Sequence, residues 1–100
     1  MQDKPTPVTA RQPDYSILPG HMRDGMRLYI EKGIKPGEFL TALLSNDFMD
    51  ACRRADDINL YALPNYARFF YSELPAVSFG SPERVQEWIA GGGLEGRRLR

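Results

Sequence analysis

The sequence predicts a compact all-α domain: a bundle of four or five short helices joined by short connections. Three observations carry that reading. Apolar residues recur at three- and four-residue spacing in one segment after another, the period of a helix with one buried face. Proline and glycine mostly punctuate these segments: Pro19, Gly33, Pro36, Pro75, Pro82 and Gly91 lie at their ends, and Pro64 is the one proline that falls inside one. The stretch most like a strand, Ala76 to Gly80, has no partner, and one strand is not a sheet.

The first helix is expected over residues 20–32. Pro19 suits its opening turn, Met22, Met26, Tyr29 and Ile30 form its buried side, and Gly33 supplies the left-handed residue that ends it. Pro36 restarts the chain. Phe39, Leu40, Leu43 and Leu44 then give a dense apolar stripe, and Leu40, Leu44, Phe48, Ala51 and Cys52 share one face if the helix runs on to residue 54. Ser45, Asn46 and Asp47 compete for local backbone bonds and offer a break. The stripe favours one continuous helix, distorted there. From Ile58 the chain carries Leu60, Leu63, Ala67, Phe70 and Leu74, the makings of a central helix that Pro64 kinks or splits near Leu63. Ala76 to Gly80 is a crossing loop. Ser81-Pro82-Glu83 opens the last helix with a capping hydroxyl and a proline at the first position, and Val85, Trp88 and Ile89 bury it.

The ends read differently. Pro5, Pro7 and Pro13 make residues 1–15 a flexible leader, and Gly91, Gly92 and Gly93 stop the final helix, leaving residues 93–100 as a flexible Arg-rich tail. The single helical domain is then 16–92.

Composition narrows the chemistry. Thirteen basic and thirteen acidic residues cancel, so nothing in the charge points to a nucleic-acid coat or a membrane anchor. One cysteine forms no internal disulfide, and with one histidine it cannot close a zinc site, so no metal and no cofactor is expected. Nucleophilic catalysis needs a base beside the nucleophile, yet His21 opens the first helix and Cys52 lies on the apolar face of the second. Asp56 and Asp57 at a helix start suit caps better than an acid–base pair. The expectation is a protein that is not an enzyme. Five Tyr, five Phe and one Trp exceed what a small interior absorbs, which leaves aromatic surface for a partner or for a homodimer.

One string is distinctive. His21-Met22-Arg23-Asp24-Gly25-Met26, then Tyr29-Ile30-Glu31, Gly33-Ile34 and Pro36-Gly37-Glu38-Phe39-Leu40, resembles a family of small phage and prophage proteins. The likeness continues through Leu44-Ser45-Asn46-Asp47, Arg54-Ala55-Asp56-Asp57 with Asn59, and Gly80-Ser81-Pro82 ahead of Trp88. In that pattern Ser is common at the position of Glu38, and Trp stands at that of Phe79. The resemblance implies a mobile-element protein of the bacterial cytoplasm, of a kind that binds host or defence proteins.

The leading expectation is therefore a non-catalytic accessory protein that binds and modulates a host or phage protein. Its candidate partner surface is a charged corner of His21, Arg23, Asp24, Arg53, Arg54, Asp56 and Asp57. The alternative is a nucleic-acid-associated regulator using Arg97, Arg98 and Arg100 with a helix-turn-helix-like pair. No helix of that pair carries the run of base-reading side chains that such a regulator needs.

Overall fold

The computed structural model describes residues 13–98. Within them the chain is all-α: seven α-helices and three short 3-10 turns, with no strand. The helices are more numerous than expected because two long apolar stripes are each broken in two and the expected tail forms one more.

The first helix forms as predicted. A 3-10 turn at Gly20–Met22 leads into α1, Arg23–Lys32, which buries Met26, Tyr29 and Ile30. Gly33 ends it in the left-handed region at φ 71°, where its N–H reaches Tyr29 O at 2.9 Å and that of Ile34 reaches Leu28 O at 3.2 Å.

The expected continuous helix from 36 to 54 is instead two, α2 at Glu38–Leu44 and α3 at Phe48–Arg54. Asn46 takes a left-handed conformation at φ 66°, and the Asp47 side chain accepts from the N–H of Asp50, capping α3. The local competitors for backbone bonds won over the apolar stripe. As a result Phe48 turns away from the face it was expected to share with Leu40 and Leu44, and it is 58% exposed, while Ala51 stays buried and Cys52 is half-buried.

The central stripe splits too, as Pro64 required. α4 is Asp57–Tyr61 and α5 is Leu63–Glu73, with Pro64 in the first turn of α5, where a missing N–H costs nothing. α5 buries Tyr66, Phe69 and Phe70. A 3-10 turn at Ala76–Ser78 replaces any strand, and the Ser81 hydroxyl caps α6, Pro82–Ala90, by accepting from Arg84 N at 3.1 Å.

Both ends depart from expectation. Pro13 is buried, Asp14 N donates to Glu73 Oε1 at 3.0 Å, and the Tyr15 ring packs on Phe69 at 5.5 Å, so residues 13–15 belong to the body rather than to a leader. The rest of that expected leader, 1–12, lies outside the described residues. The expected tail begins instead with α7, Gly93–Arg98, whose Leu94 is buried. Gly92 and Gly93 turn the chain at φ 78° and 68°, a conformation that glycine adopts without strain, and they fold α7 back against α1.

The core is held by directional contacts as well as area. Tyr29 Oη donates to Ser78 O at 2.7 Å and Trp88 Nε1 donates to Tyr29 O at 3.0 Å, joining α1, the 76–78 turn and α6. Tyr66 Oη donates to Asn59 Oδ1 at 2.8 Å across the α4–α5 break. Burial pushes the phenols of Tyr29 and Tyr66 well above their ordinary pKa, so both remain donors across the physiological range.

Candidate functional site

A groove runs beside α5, lined also by Leu43 of α2, Asn46, Phe48 of α3 and residues of the 76–80 segment. The hollow measures about 510 Å³. Its floor is aromatic: Tyr66 and Phe70 meet edge-on at 6.4 Å, and Phe70 and Phe79 lie 5.2 Å apart. Its lip carries Phe48 from α3 and Tyr71 from α5, the latter 83% exposed and set edge-on to Phe79 at 5.7 Å.

Polar groups in the groove are few and placed. Gly80 N donates to Leu44 O at 2.7 Å, which anchors the crossing segment to the end of α2. Among the described residues Arg84 is the sole charged side chain in the lining. Its Nη1 donates to Ala76 O at 3.1 Å and Phe79 O at 3.3 Å, so the guanidinium is laid across the 76–80 segment. Gly80 makes room for it: a Cβ there would stand 3.2 Å from that nitrogen, on a backbone at φ 117°. Asn46 adds one amide. An apolar hollow with a cation and an amide has the composition of a binding site.

The charged corner is divided among internal partners. His21 Nε2 meets Asp56 Oδ2 at 3.0 Å, while Asp56 Oδ1 accepts from Asn59 N at 2.7 Å and so caps α4. The Asn59 N–H and then the His21 ring hold the Asp56 carboxyl below its ordinary pKa. Arg23 donates to Leu18 O and Ser16 O, both at 2.9 Å, and clamps the turn before α1. Asp24 pairs with Arg27 at 2.9 Å on α1. Arg53 and Arg54 both bond Asp50, at 2.7 and 2.9 Å, and Arg54 also pairs with Glu38. Those two guanidiniums, Arg54 first, lower the Asp50 carboxyl. Asp57 is exposed at the first position of α4, where its charge complements the helix dipole. Among the described residues no hydrogen bond or ion pair joins the His21–Asp56 pair to the Arg53–Arg54 cluster.

Of the arginines in the alternative reading, Arg97 lies 4.0 Å over the Trp88 ring and donates to Gly93 O. Arg98 is exposed in the last turn of α7, and Arg100 lies outside the described residues. The His21 ring is engaged by Asp56, and no hydrogen bond links it to Cys52. Among the described residues no trio of His, Cys, Asp or Glu is placed to hold a metal, and no helix is long and apolar enough to cross a membrane.

No family model matches this chain, and no curated protein or solved structure matches it. The site reading rests on geometry.

Sequence reasoning expected surplus aromatic surface without placing it, read Asn46 only as a helix breaker, and passed over Arg84 altogether. The signal for the groove was the Ser45-Asn46-Asp47 punctuation. Taken as a true break, it puts Phe48 outside. Nothing in the spacing shows that Arg84 reaches back over Gly80.

Proposed function

We propose that this protein is a non-catalytic binding protein that holds a host or phage protein in the α5 groove and modulates it. The observation that carries the reading is the groove itself, an aromatic hollow with Phe48 and Tyr71 held out at its lip. Large aromatic side chains left exposed gain nothing from folding, and apolar surface gathered at a hollow is a mark of a binding site. The internal pairing of the charged corner supports a partner surface at the groove in place of that corner. The likeness of the strings around His21–Met26 and Arg54–Asp57 to small phage and prophage proteins supports a bacterial cytoplasmic setting.

The test is capture of tagged protein from bacterial lysate, infected and uninfected, with nuclease present, comparing the native chain with Phe48→Ser. The expected result is one stoichiometric protein held by the native chain and lost with the variant, while Trp88 emission shows both to be folded. Capture that disappears with nuclease, or that is indifferent to Phe48, overturns the reading.

A further inference from the structure

Building on the groove reading, we infer that the partner segment places a large apolar side chain beside an aspartate or glutamate, whose carboxylate Arg84 receives. The apolar half follows from the floor of Tyr66, Phe70 and Phe79. The acidic half follows from Arg84. Among the described residues it is the one charge in the lining, and no carboxylate lines the groove to answer it. Its position is fixed because Nη1 is bonded to two backbone carbonyls, whereas Nε and Nη2 have no hydrogen-bond partner among the described residues. A guanidinium with one edge immobilised presents its remaining donors as a fork. That fork matches the two oxygens of a carboxylate, and little ordering entropy remains to be lost. Beside apolar surface, where water is displaced on docking, an acidic residue gains a charge-assisted bond and a basic one meets a like charge.

A second copy of the chain fits less well. A two-fold pairing of groove on groove would bring each Arg84 against a lining without acid. A fatty acid offers the same carboxylate on an apolar body, and the experiment separates it.

A random dodecapeptide library is displayed and panned on the full chain, on Phe48→Ser and on Arg84→Glu, with folding checked by Trp88 emission. The native chain is expected to enrich peptides with Asp or Glu within about four residues of Leu, Ile, Phe or Trp, the reach of one helical turn. Phe48→Ser weakens the best of them, and Arg84→Glu turns the enriched set towards Lys and Arg. Should Arg84→Glu fail to fold, the best peptide with its acid changed to Lys is measured on the native chain instead, where a loss of about tenfold or more is expected. Peptides that depend on Phe48 but ignore both charge changes overturn the acidic partner and leave the groove reading standing. No enrichment, or enrichment indifferent to Phe48, overturns both. Saturable binding of dodecanoate that Phe48→Ser abolishes, with no peptide selected, makes the groove a lipid pocket, and a dimer in sedimentation that Phe48→Ser dissolves makes it a self-association face. Either result overturns the inference.

Discussion

Gly33 and Gly93 stand backbone to backbone, so close that a Cβ on Gly93 would lie 2.6 Å from Gly33 N and from Ile30 O. This contact seats α7 on the end of α1, and both glycines also hold left-handed dihedrals. Gly93→Ala therefore adds a steric clash to an unfavourable φ. Overpacking costs about 1–3 kcal/mol and the αL strain about 1 kcal/mol more. The expected loss in urea unfolding is about 2 kcal/mol or greater. Gly20→Ala, where a Cβ meets nothing within 4 Å, serves as the control and should change little. Equal stabilities for the two variants would refute the contact.

Removal of the chain after Gly92 tests the same joint from the other side. The truncation exposes the surface that Leu94 covers, a loss of about 1.5–3 kcal/mol for one leucine. It also takes away the Lys32–Glu95 pair at 3.1 Å and the Arg97 guanidinium over Trp88. Trp88 is the chain's one tryptophan and is fully buried, so its emission should move to longer wavelength in the truncated protein. A truncated chain with native emission and native stability would return residues 93–98 to the status of a tail.

The bond from Tyr66 Oη to Asn59 Oδ1 lies in the interior, with Asn59 3% exposed. Tyr66→Phe strands that amide oxygen away from water, at a cost of about 1–3 kcal/mol. Replacing both partners leaves nothing unsatisfied. Tyr66→Phe with Asn59→Leu should accordingly be more stable than the sum of the two single changes predicts, as a double-mutant cycle in urea will read. Strict additivity would mean that the bond contributes nothing.

Much of this fold was legible because its punctuation is chemical. Ser81-Pro82 and Gly33 mark helix ends by donor count and left-handed backbone, and both stand where the sequence put them. Pro64 split the central stripe for the same reason. The misreadings share a cause as well. At Ser45–Asp47 an apolar period was allowed to outweigh three residues that bond their own backbone, so Phe48 was counted as core. At Gly91–Gly93 glycine was read for its entropy alone. Its other property, close approach of one backbone to another, depends on Gly33, some sixty residues earlier in the chain, and no local pattern reveals that pairing. The groove was hidden because it needs a displaced α3, which the first misreading concealed, and an arginine lying over Gly80, which no local pattern reveals.

Acid should weaken the protein in a defined window. The Asp50 and Asp56 carboxyls both have pKa values below the ordinary 3.8 in the folded state, Asp50 through Arg54 and Arg53, Asp56 through Asn59 N–H and His21. A lowered folded value means stability that is present above the unfolded pKa and lost as pH falls through the folded one. The melting temperature should thus hold from neutrality to about pH 5 and drop below about pH 4, over the carboxylate range. Asp50→Asn should melt lower than the native chain at pH 7 and lose less on acidification. Parallel acid limbs for the two proteins would exclude Asp50 as a contributor.

Arg54 and Phe48 together decide between the corner and the groove. Arg54 spans α2 and α3 through Glu38 and Asp50, so Arg54→Ala removes a brace and leaves the Glu38 carboxylate unanswered, while Asp50 keeps Arg53. Its melting temperature should fall modestly, since exposed pairs contribute little. Partner capture should survive in Arg54→Ala, because the groove lining does not include that side chain. Phe48→Ser should show the reverse, unchanged or improved solubility with capture reduced tenfold or more, of the order seen when an aromatic anchor is lost. The two variants are compared at equal folded concentration, judged by Trp88 emission. Loss of capture in Arg54→Ala alone would restore the charged corner as the partner surface and leave the groove without a role.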